Sequence, residues 1–591
     1  MPLNIRKGKT IALALEIVLI FLIAYCLLYK VFLPTSYFMA IALLTILLVF
    51  QIVKNGHNNF LVFQMALLYL LIRNIYYLAT NYSVIPFIDA NWDYGVVKTF
   101  IENGSISVII EPNPPATLLT WYSGWPLMHT LALSLSQISG INAFYVVLLL
   151  PSIIGASSFI FVYLFVEKIV KSMRIDAGVT PLALLLYTIS PESVFWSMQF
   201  IRQNFGILLF TITLYFVTLL TINPRNRKYK VMAIFFAMSL MVTHHFTSFV
   251  MVAYLFLFSV IGKYLAKIKV KNKGFWLPPN LSTTGIALAT SAFLFVWVDN
   301  FGSIILPTIA SGIRGFIEIL VGTREIIHLP AGASYPNILT TPWVLSLLEL
   351  RDLLLYVPVL FGLLLVTIKA SKTPTKFLVI NSTLVFGVIF IIDSLFFRIE
   401  IFRVVSLSLP FIALLSAFSY NQLRKSLKPI WNVPIIATVM TVLLLSSFLG
   451  LWAHNFEPLH IYDPSINYME VGERNTDFMR VNEFLNRKLA TSRFRIIWAD
   501  ESSSLISLLH PIDYNKIRTL SPSSIGELGS HGDELVCVFK GLLLYAYYAG
   551  TYSKIKTLEE AKVFRYELYQ YLRNNFSQIY DDGKYEFWIS E

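Results

Sequence analysis

Apolar residues fall in long, nearly uninterrupted runs along the first 452 residues, separated by short polar stretches. A helical run of about 20 residues crosses roughly 30 Å of hydrocarbon, so this pattern predicts membrane spans rather than a globular core. The runs lie at 11–33, 37–54, 60–80, 142–166, 178–194, 203–222, 229–243, 245–265, 283–299, 350–369, 376–395, 401–419 and 431–452, about thirteen in all. The stretch 229–265 is too long for one crossing, and the polar pair His244–His245 is where it folds in two. After residue 454 the pattern changes to mixed polar and apolar positions, with strand-like pieces at 494–498, 535–539 and 586–589 and a helical stretch at 557–575. The chain is therefore expected to be a polytopic α-helical membrane protein, with a membrane domain (1–454) and a small C-terminal α/β domain (455–591).

Composition agrees with that reading. The chain is 56% hydrophobic and 14% charged with a mean hydropathy of +0.66, whereas soluble domains sit near 25% charged. Cys26 and Cys537 form neither a disulfide framework nor a metal-ligand spacing. Arg6, Lys7 and Lys9 precede a first run longer than a signal-peptide core, which reads as an uncleaved signal anchor.

The net charge of +12 sharpens the picture further. Segments 1–10, 51–59, 166–178, 222–230, 263–274, 369–376 and 420–430 hold 22 Lys and Arg against two acids, Glu167 and Asp176. The alternate segments hold seven Lys and Arg against twelve acids. Cytoplasmic loops carry the basic excess, so the N-terminus is expected inside and the C-terminal domain outside, in the plasma membrane. Nucleic-acid binding is not needed to explain the charge. Two outer loops, 81–141 and 300–349, are long enough to be functional.

The first of these loops begins Ile88-Asp89-Ala90-Asn91-Trp92-Asp93-Tyr94-Gly95. Two carboxylates four residues apart beside a membrane span sit where desolvation raises carboxylate basicity. Equally, acids simply mark an outer loop. Arg398 and Arg403 flank the start of the twelfth span, and Arg202 lies at a similar depth. Their planar guanidinium groups suit phosphate oxygens, though lipid-headgroup anchoring is the alternative. On a helix Arg398 and Arg403 would point about 140° apart, so both meet one phosphate only if Arg398 lies in the loop. His244 and His245 at a helix corner are further candidates, against a role in bridging backbone groups. Arg73 lies inside a span and reads as a structural partner.

The arrangement of Asp89, an aromatic at Tyr94 and a closing Gly104 resembles the first outer loop of GT-C glycosyltransferases, membrane enzymes that use polyprenyl-linked sugars. Gly124-Trp125-Pro126-Leu127, Ile138-Ser139-Gly140-Ile141, Ser190-Pro191-Glu192 and Thr243-His244-His245 are similar to archaeal and prokaryotic members of that superfamily. The chain departs from oligosaccharyltransferase in its next outer loop, where Arg202-Gln203-Asn204-Phe205-Gly206 replaces an acidic metal-binding motif. Trp92-Asp93-Tyr94-Gly95 is similar to that family's acceptor motif but lies in the first loop.

The resemblance implies a GT-C fold and an inverting transfer of one sugar from a polyprenyl (dolichyl-type) phosphate to an extracytoplasmic glycan, protein or lipid. It implies Asp89 as base, Asp93 as alternative base or sugar partner, and Tyr94, His244 and His245 in substrate binding. Arg202, Arg398 and Arg403 would receive the departing phosphate. With so good a leaving group, cations suffice and neither metal nor cofactor is expected. The rivals are a flippase for lipid-linked glycans and a transferase or polymerase using a lipid diphosphate. A flippase is expected to show inverted repeats or charges near the bilayer midplane.

Overall fold

The computed structural model describes residues 15, 17–22, 34–55, 59–79, 88–103, 124–197, 199–269, 281–300, 310, 314, 342–370, 373–393, 401–454, 496–499, 517–519, 522–530, 533–539, 558–581 and 585–590. Two helices, α1 (Pro34–Asn55) and α2 (Asn59–Ala79), open the described bundle. The long loop contributes α3 (Ile88–Asn103) and α4 (Leu127–Ser139). Then come α5 (Ala143–Met173), α6 (Val179–Ile189), α7 (Pro191–Ser197) and α8 (Arg202–Ile222). Next are α9 (Arg227–Met241), α10 (His245–Lys269) and α11 (Leu281–Asn300). The bundle ends with α12 (Pro342–Lys369), α13 (Pro374–Ile392), α14 (Ile401–Ser426) and α15 (Pro429–His454).

Helices occupy each expected run from 37–54 to 431–452, with ends that differ by several residues. Among the described residues, six helices are long and apolar enough to cross a membrane: Ala143–Met173, Arg202–Ile222, His245–Tyr264, Leu350–Lys369, Pro374–Ile392 and Arg403–Ser426. The expected span 178–194 is broken. Ser190 is extended (ψ 133°), because a following proline clashes with the helical conformation of the residue before it. The chain therefore restarts as α7, which carries Glu192 and Trp196 into the site region.

Every residue of α6 is buried, as a helix apolar on all sides must be. Polar side chains link its neighbours. Arg73 on α2 donates to Ser193 and Ser197 of α7 and to the Thr188 carbonyl (3.1 Å), confirming it as a tie between elements. Tyr254 on α10 meets Ser382 on α13 at 2.8 Å, and Asn381 Nδ2 donates to the Phe258 carbonyl at 2.8 Å. Such interhelical bonds replace the hydrophobic drive that lipid does not supply. Large apolar side chains such as Phe21, Phe295, Leu360 and Ile430 face outward.

The C-terminal segment forms a five-stranded sheet of order β2-β1-β3-β5-β4. Its strands are β1 (Ile496–Ala499), β2 (Ile517–Thr519), β3 (Glu534–Phe539), β4 (Phe576–Asp581) and β5 (Tyr585–Ser590), with α16 (Leu558–Asn575) before β4. β1 pairs in parallel with β2 and β3, while β5 pairs antiparallel with β3 and β4. Trp498, Val536, Leu568, Leu572, Phe576 and Trp588 make a core of their own. The buried Glu534 carboxylate accepts hydrogen bonds from Trp498 Nε1 (2.9 Å) and the Gly529 N–H (2.7 Å).

Candidate functional site

Helix α3 buries Asp93, Val96, Val97 and Phe100. That i, i+3, i+4, i+7 spacing makes one helical face. Asp93 thus enters the protein on the same stripe as apolar residues, and an ionised carboxylate there needs partners. It has two hydrogen bonds and an ion pair. Asp93 Oδ1 lies 2.7 Å from His129 Nε2 and 3.0 Å from Arg202 Nε, and Oδ2 accepts the Arg202 backbone N–H at 3.3 Å. Arg202 is the first residue of α8, so the carboxylate also sits at the positive end of a helix dipole.

His129 reaches Asp93 from the first turn of α4, its ring edge-on to Phe100 at 6.2 Å. Burial pulls its imidazole below the usual histidine range; Asp93 opposes that shift and Arg202 adds to it. A neutral ring facing a carboxylate places its proton on Nε2, which leaves Nδ1 as an acceptor. Nδ1 is buried with no hydrogen-bond partner among the described residues.

The start of α4 is itself fixed. Leu127 N–H donates to the Val242 carbonyl (3.4 Å), and Trp297 Nε1 on α11 donates to the Gly124 carbonyl (3.1 Å). Trp125 between them packs on His245, with ring centroids 4.9 Å apart. The His244 and His245 rings lie 4.8 Å apart at the α9–α10 corner, as the sequence pattern requires. His244 Nδ1 meets Thr247 Oγ1 at 2.7 Å. Gly206 on α8 brings the corner close, since a Cβ there would meet Thr247 Oγ1 at 3.2 Å and His244 Cβ at 3.3 Å. Arg403 on α14 lies over the rings of Trp196 (5.4 Å) and Phe246 (5.9 Å). Both guanidinium groups, Arg202 and Arg403, act electrostatically on His244 and His245.

The structure therefore gathers Asp93, Arg202, His244, His245 and Arg403 from four separate stretches of chain. Tyr94 packs edge-to-face on Phe144 of α5, with ring centroids 5.9 Å apart. Asp89 is the second residue of α3, one turn before Asp93, and its side chain lies outside the described residues. Arg398 also lies outside them.

Three residues assigned no role from sequence stand out by their contacts. His129 was indistinguishable from any loop histidine, and only its burial beside Asp93 marks it. Trp125 was part of a motif without a role of its own. The third is Glu192, buried on α7, which accepts from Ser190 and from Tyr356 at 3.3 Å and interacts electrostatically with Arg351 on α12. Among the described residues no three His, Cys, Asp or Glu side chains gather in a metal-holding group.

The helical bundle, with its polar cluster built from loop helices and helix ends, has the GT-C type of fold. The likeness that carries this assignment is to ArnT from Cupriavidus metallidurans bound to undecaprenyl phosphate. That match has a TM-score of 0.50 and 9% identity, and covers 90% of this chain and 98% of the other. The Archaeoglobus fulgidus oligosaccharyltransferase in its apo form is also similar, with a TM-score of 0.48, 12% identity, and 85% and 72% of the two chains covered. No protein-family model matches the sequence, and no curated protein sequence matches it.

Proposed function

We propose that the protein is a membrane glycosyltransferase, a hexosyl- or pentosyltransferase of the GT-C type. It takes a sugar from a polyprenyl (dolichyl-type) phosphate and adds it, with inversion, to a glycan, protein or lipid acceptor outside the cytoplasm. The observation that carries this reading is the convergence of two guanidinium groups and two histidines beside a carboxylate-bearing loop helix, at ends of helices in a GT-C fold. Arg202 and Arg403 come from different helices, a placement suited to neutralising a departing lipid phosphate. Arg398 stands as a third donor, and His245, partly exposed at the helix corner, offers a flat surface for a sugar. ArnT binds a lipid of this class, undecaprenyl phosphate.

Asp89 is the proposed base. It takes the proton of the acceptor hydroxyl as that oxygen attacks the anomeric carbon and the carbon–phosphate oxygen bond breaks. No metal or other cofactor enters this scheme. In this reading the chain crosses the membrane about thirteen times, with its N-terminus in the cytoplasm and residues 455–591 outside, near the acceptor; the basic excess of alternate segments supports it.

Purified protein incubated with labelled polyprenyl-phosphate sugar is expected to release polyprenyl phosphate, undiminished by EDTA. The variant Asp89→Asn is expected to lose on the order of a hundredfold or more in kcat while still binding the donor. Full activity in that variant removes Asp89 as base, and loss on chelation removes the metal-free scheme. Movement of lipid across the bilayer without bond cleavage favours the flippase.

A further inference from the structure

We infer that His129 is a positioning residue for the proposed reaction: it holds the turn of α3 that carries Asp89 in register with the His244–His245 corner. The inference rests on the glycosyltransferase reading for its reaction, though its structural part stands on the hydrogen bonds alone.

Asp89 precedes Asp93 by four residues in the same helix. The two are thus about 6 Å apart along the axis and about 40° apart around it. Whatever fixes Asp93 therefore fixes the turn bearing Asp89. The side chain and backbone N–H of Arg202 tie Asp93 to α8. His129 supplies a different tie, because α4 starts from a segment held to the corner by the Val242 carbonyl and by the Trp125–His245 contact. The Asp93–His129 bond of 2.7 Å is thus a direct hydrogen-bonded link between α3 and the unit that includes the histidine corner.

His129 itself is 0% exposed. A ring so enclosed does not meet substrate, which separates its role from that of a catalytic residue. The groups facing it are Asp93 from α3, Arg202 from α8 and the Phe100 ring. A positional error of about 1 Å at a reacting group costs on the order of a hundredfold in rate. Loss of the tie should therefore reduce turnover more than donor affinity.

Two substitutions separate anchoring from mere filling of space. Glutamine carries an N–H donor at about the reach of histidine Nε2, whereas leucine fills the site with no donor. With tritiated dolichyl-phosphate mannose as probe, His129→Leu is expected to lower kcat about 30-fold and change KM less than about threefold. His129→Gln should keep most of the wild-type kcat. Combined with Asp93→Leu, which leaves no acceptor for the His129 Nε2–H, His129→Leu should add little further loss.

A second readout needs no activity. Amide hydrogen exchange of peptides from 88–103 in the full-length protein should rise about tenfold or more in His129→Leu and stay near wild type in His129→Gln. Unchanged exchange there in the leucine variant overturns the inference, as does a glutamine variant as impaired as the leucine one. Wild-type protein that turns over no donor, yet shows raised α3 exchange in the leucine variant alone, upholds the anchor and overturns the reaction.

Discussion

At the scale of single residues, Asp93 shows what an aspartate on an apolar helix face requires. Asp93 is buried and both of its oxygens are engaged by His129 and Arg202. Removing one partner of a buried pair leaves the other charge uncompensated, so Asp93→Ala is expected to cost about 3 kcal/mol of stability. Thermal unfolding in detergent should show that loss and show none for Asp89→Asn; equal losses would contradict the division of roles. His129 adds a pH signature. Its folded-state pKa is lowered by burial, so between the ordinary value of about 6.5 and the lower folded value the unfolded chain binds the extra proton. The contribution of neutral His129 is complete above that window and declines by about 1.4 kcal/mol per unit as pH falls through it. The difference in stability between wild type and His129→Gln should therefore be constant at neutral pH and shift below it, where wild type loses more. A difference that stays flat down to pH about 5 would mean the ring is not held neutral.

At the scale of elements, helices were legible because a membrane span writes itself as an apolar run, whereas their joints were not. Pro358 lies inside α12, and its ring removes the hydrogen bond to the Leu354 carbonyl and crowds it. In hydrocarbon a freed carbonyl must find another donor. Tyr420 on α14 donates its hydroxyl to the Leu354 carbonyl, and Ser416 donates to the Leu355 carbonyl at 2.8 Å. A proline in α12 and two hydroxyls 58 and 62 residues later carry no shared sequence signal, and the site is hidden for the same reason. His129 and Arg202 lie 36 and 109 residues from Asp93, and Tyr356 lies 164 from Glu192. The corner at His244–His245 was readable because its polarity interrupts an otherwise apolar stretch. Close approach of α12 and α14 also depends on Gly362, where a Cβ would lie 2.1 Å from the Leu415 carbonyl oxygen. Backbone cannot yield as a flexible side chain does, so Gly362→Ala is expected to destabilise by about 3 kcal/mol or more, as overpacking does at its upper end. Tyr420→Phe should cost about 1 kcal/mol, the scale of an interhelical hydrogen bond in a membrane. Unfolding by mixed detergent or heat reads both, and the inequality between them is the test.

At the scale of the whole molecule, charge asymmetry leads to an expected orientation that labelling can test. The two acids of the basic segments are both neutralised locally: Glu167 meets Lys171 at 2.8 Å, and Asp176 meets Lys425 at 2.6 Å and Arg424 at 3.8 Å. Arg424 also donates to the Ile52 carbonyl at 3.3 Å, near the C-terminal end of α1, where a cation is favoured by the helix dipole. That end of the bundle thus retains its net positive charge, which is the property that keeps a segment in the cytoplasm. The polar cluster around Asp93 lies among segments of the other set, so the proposed chemistry and the orientation stand together. Cysteine labelling in intact cells separates the two ends, in a background with Cys26 and Cys537 replaced by serine. A membrane-impermeant maleimide should label Asn300→Cys, at the exposed end of α11, and Tyr566→Cys, exposed on α16. Lys228→Cys, exposed at the start of α9, should react only after permeabilisation. Labelling of Lys228→Cys alone would invert the protein and put Asp89 on the cytoplasmic face, where an extracytoplasmic acceptor is out of reach. Labelling of Asn300→Cys without Tyr566→Cys in intact cells, with both reactive after permeabilisation, would instead leave the bundle oriented as proposed but change the number of crossings before the sheet. The parity of spans after α11 would then be odd rather than even, and residues 455–591 would be separated by the bilayer from any acceptor they are proposed to recognise.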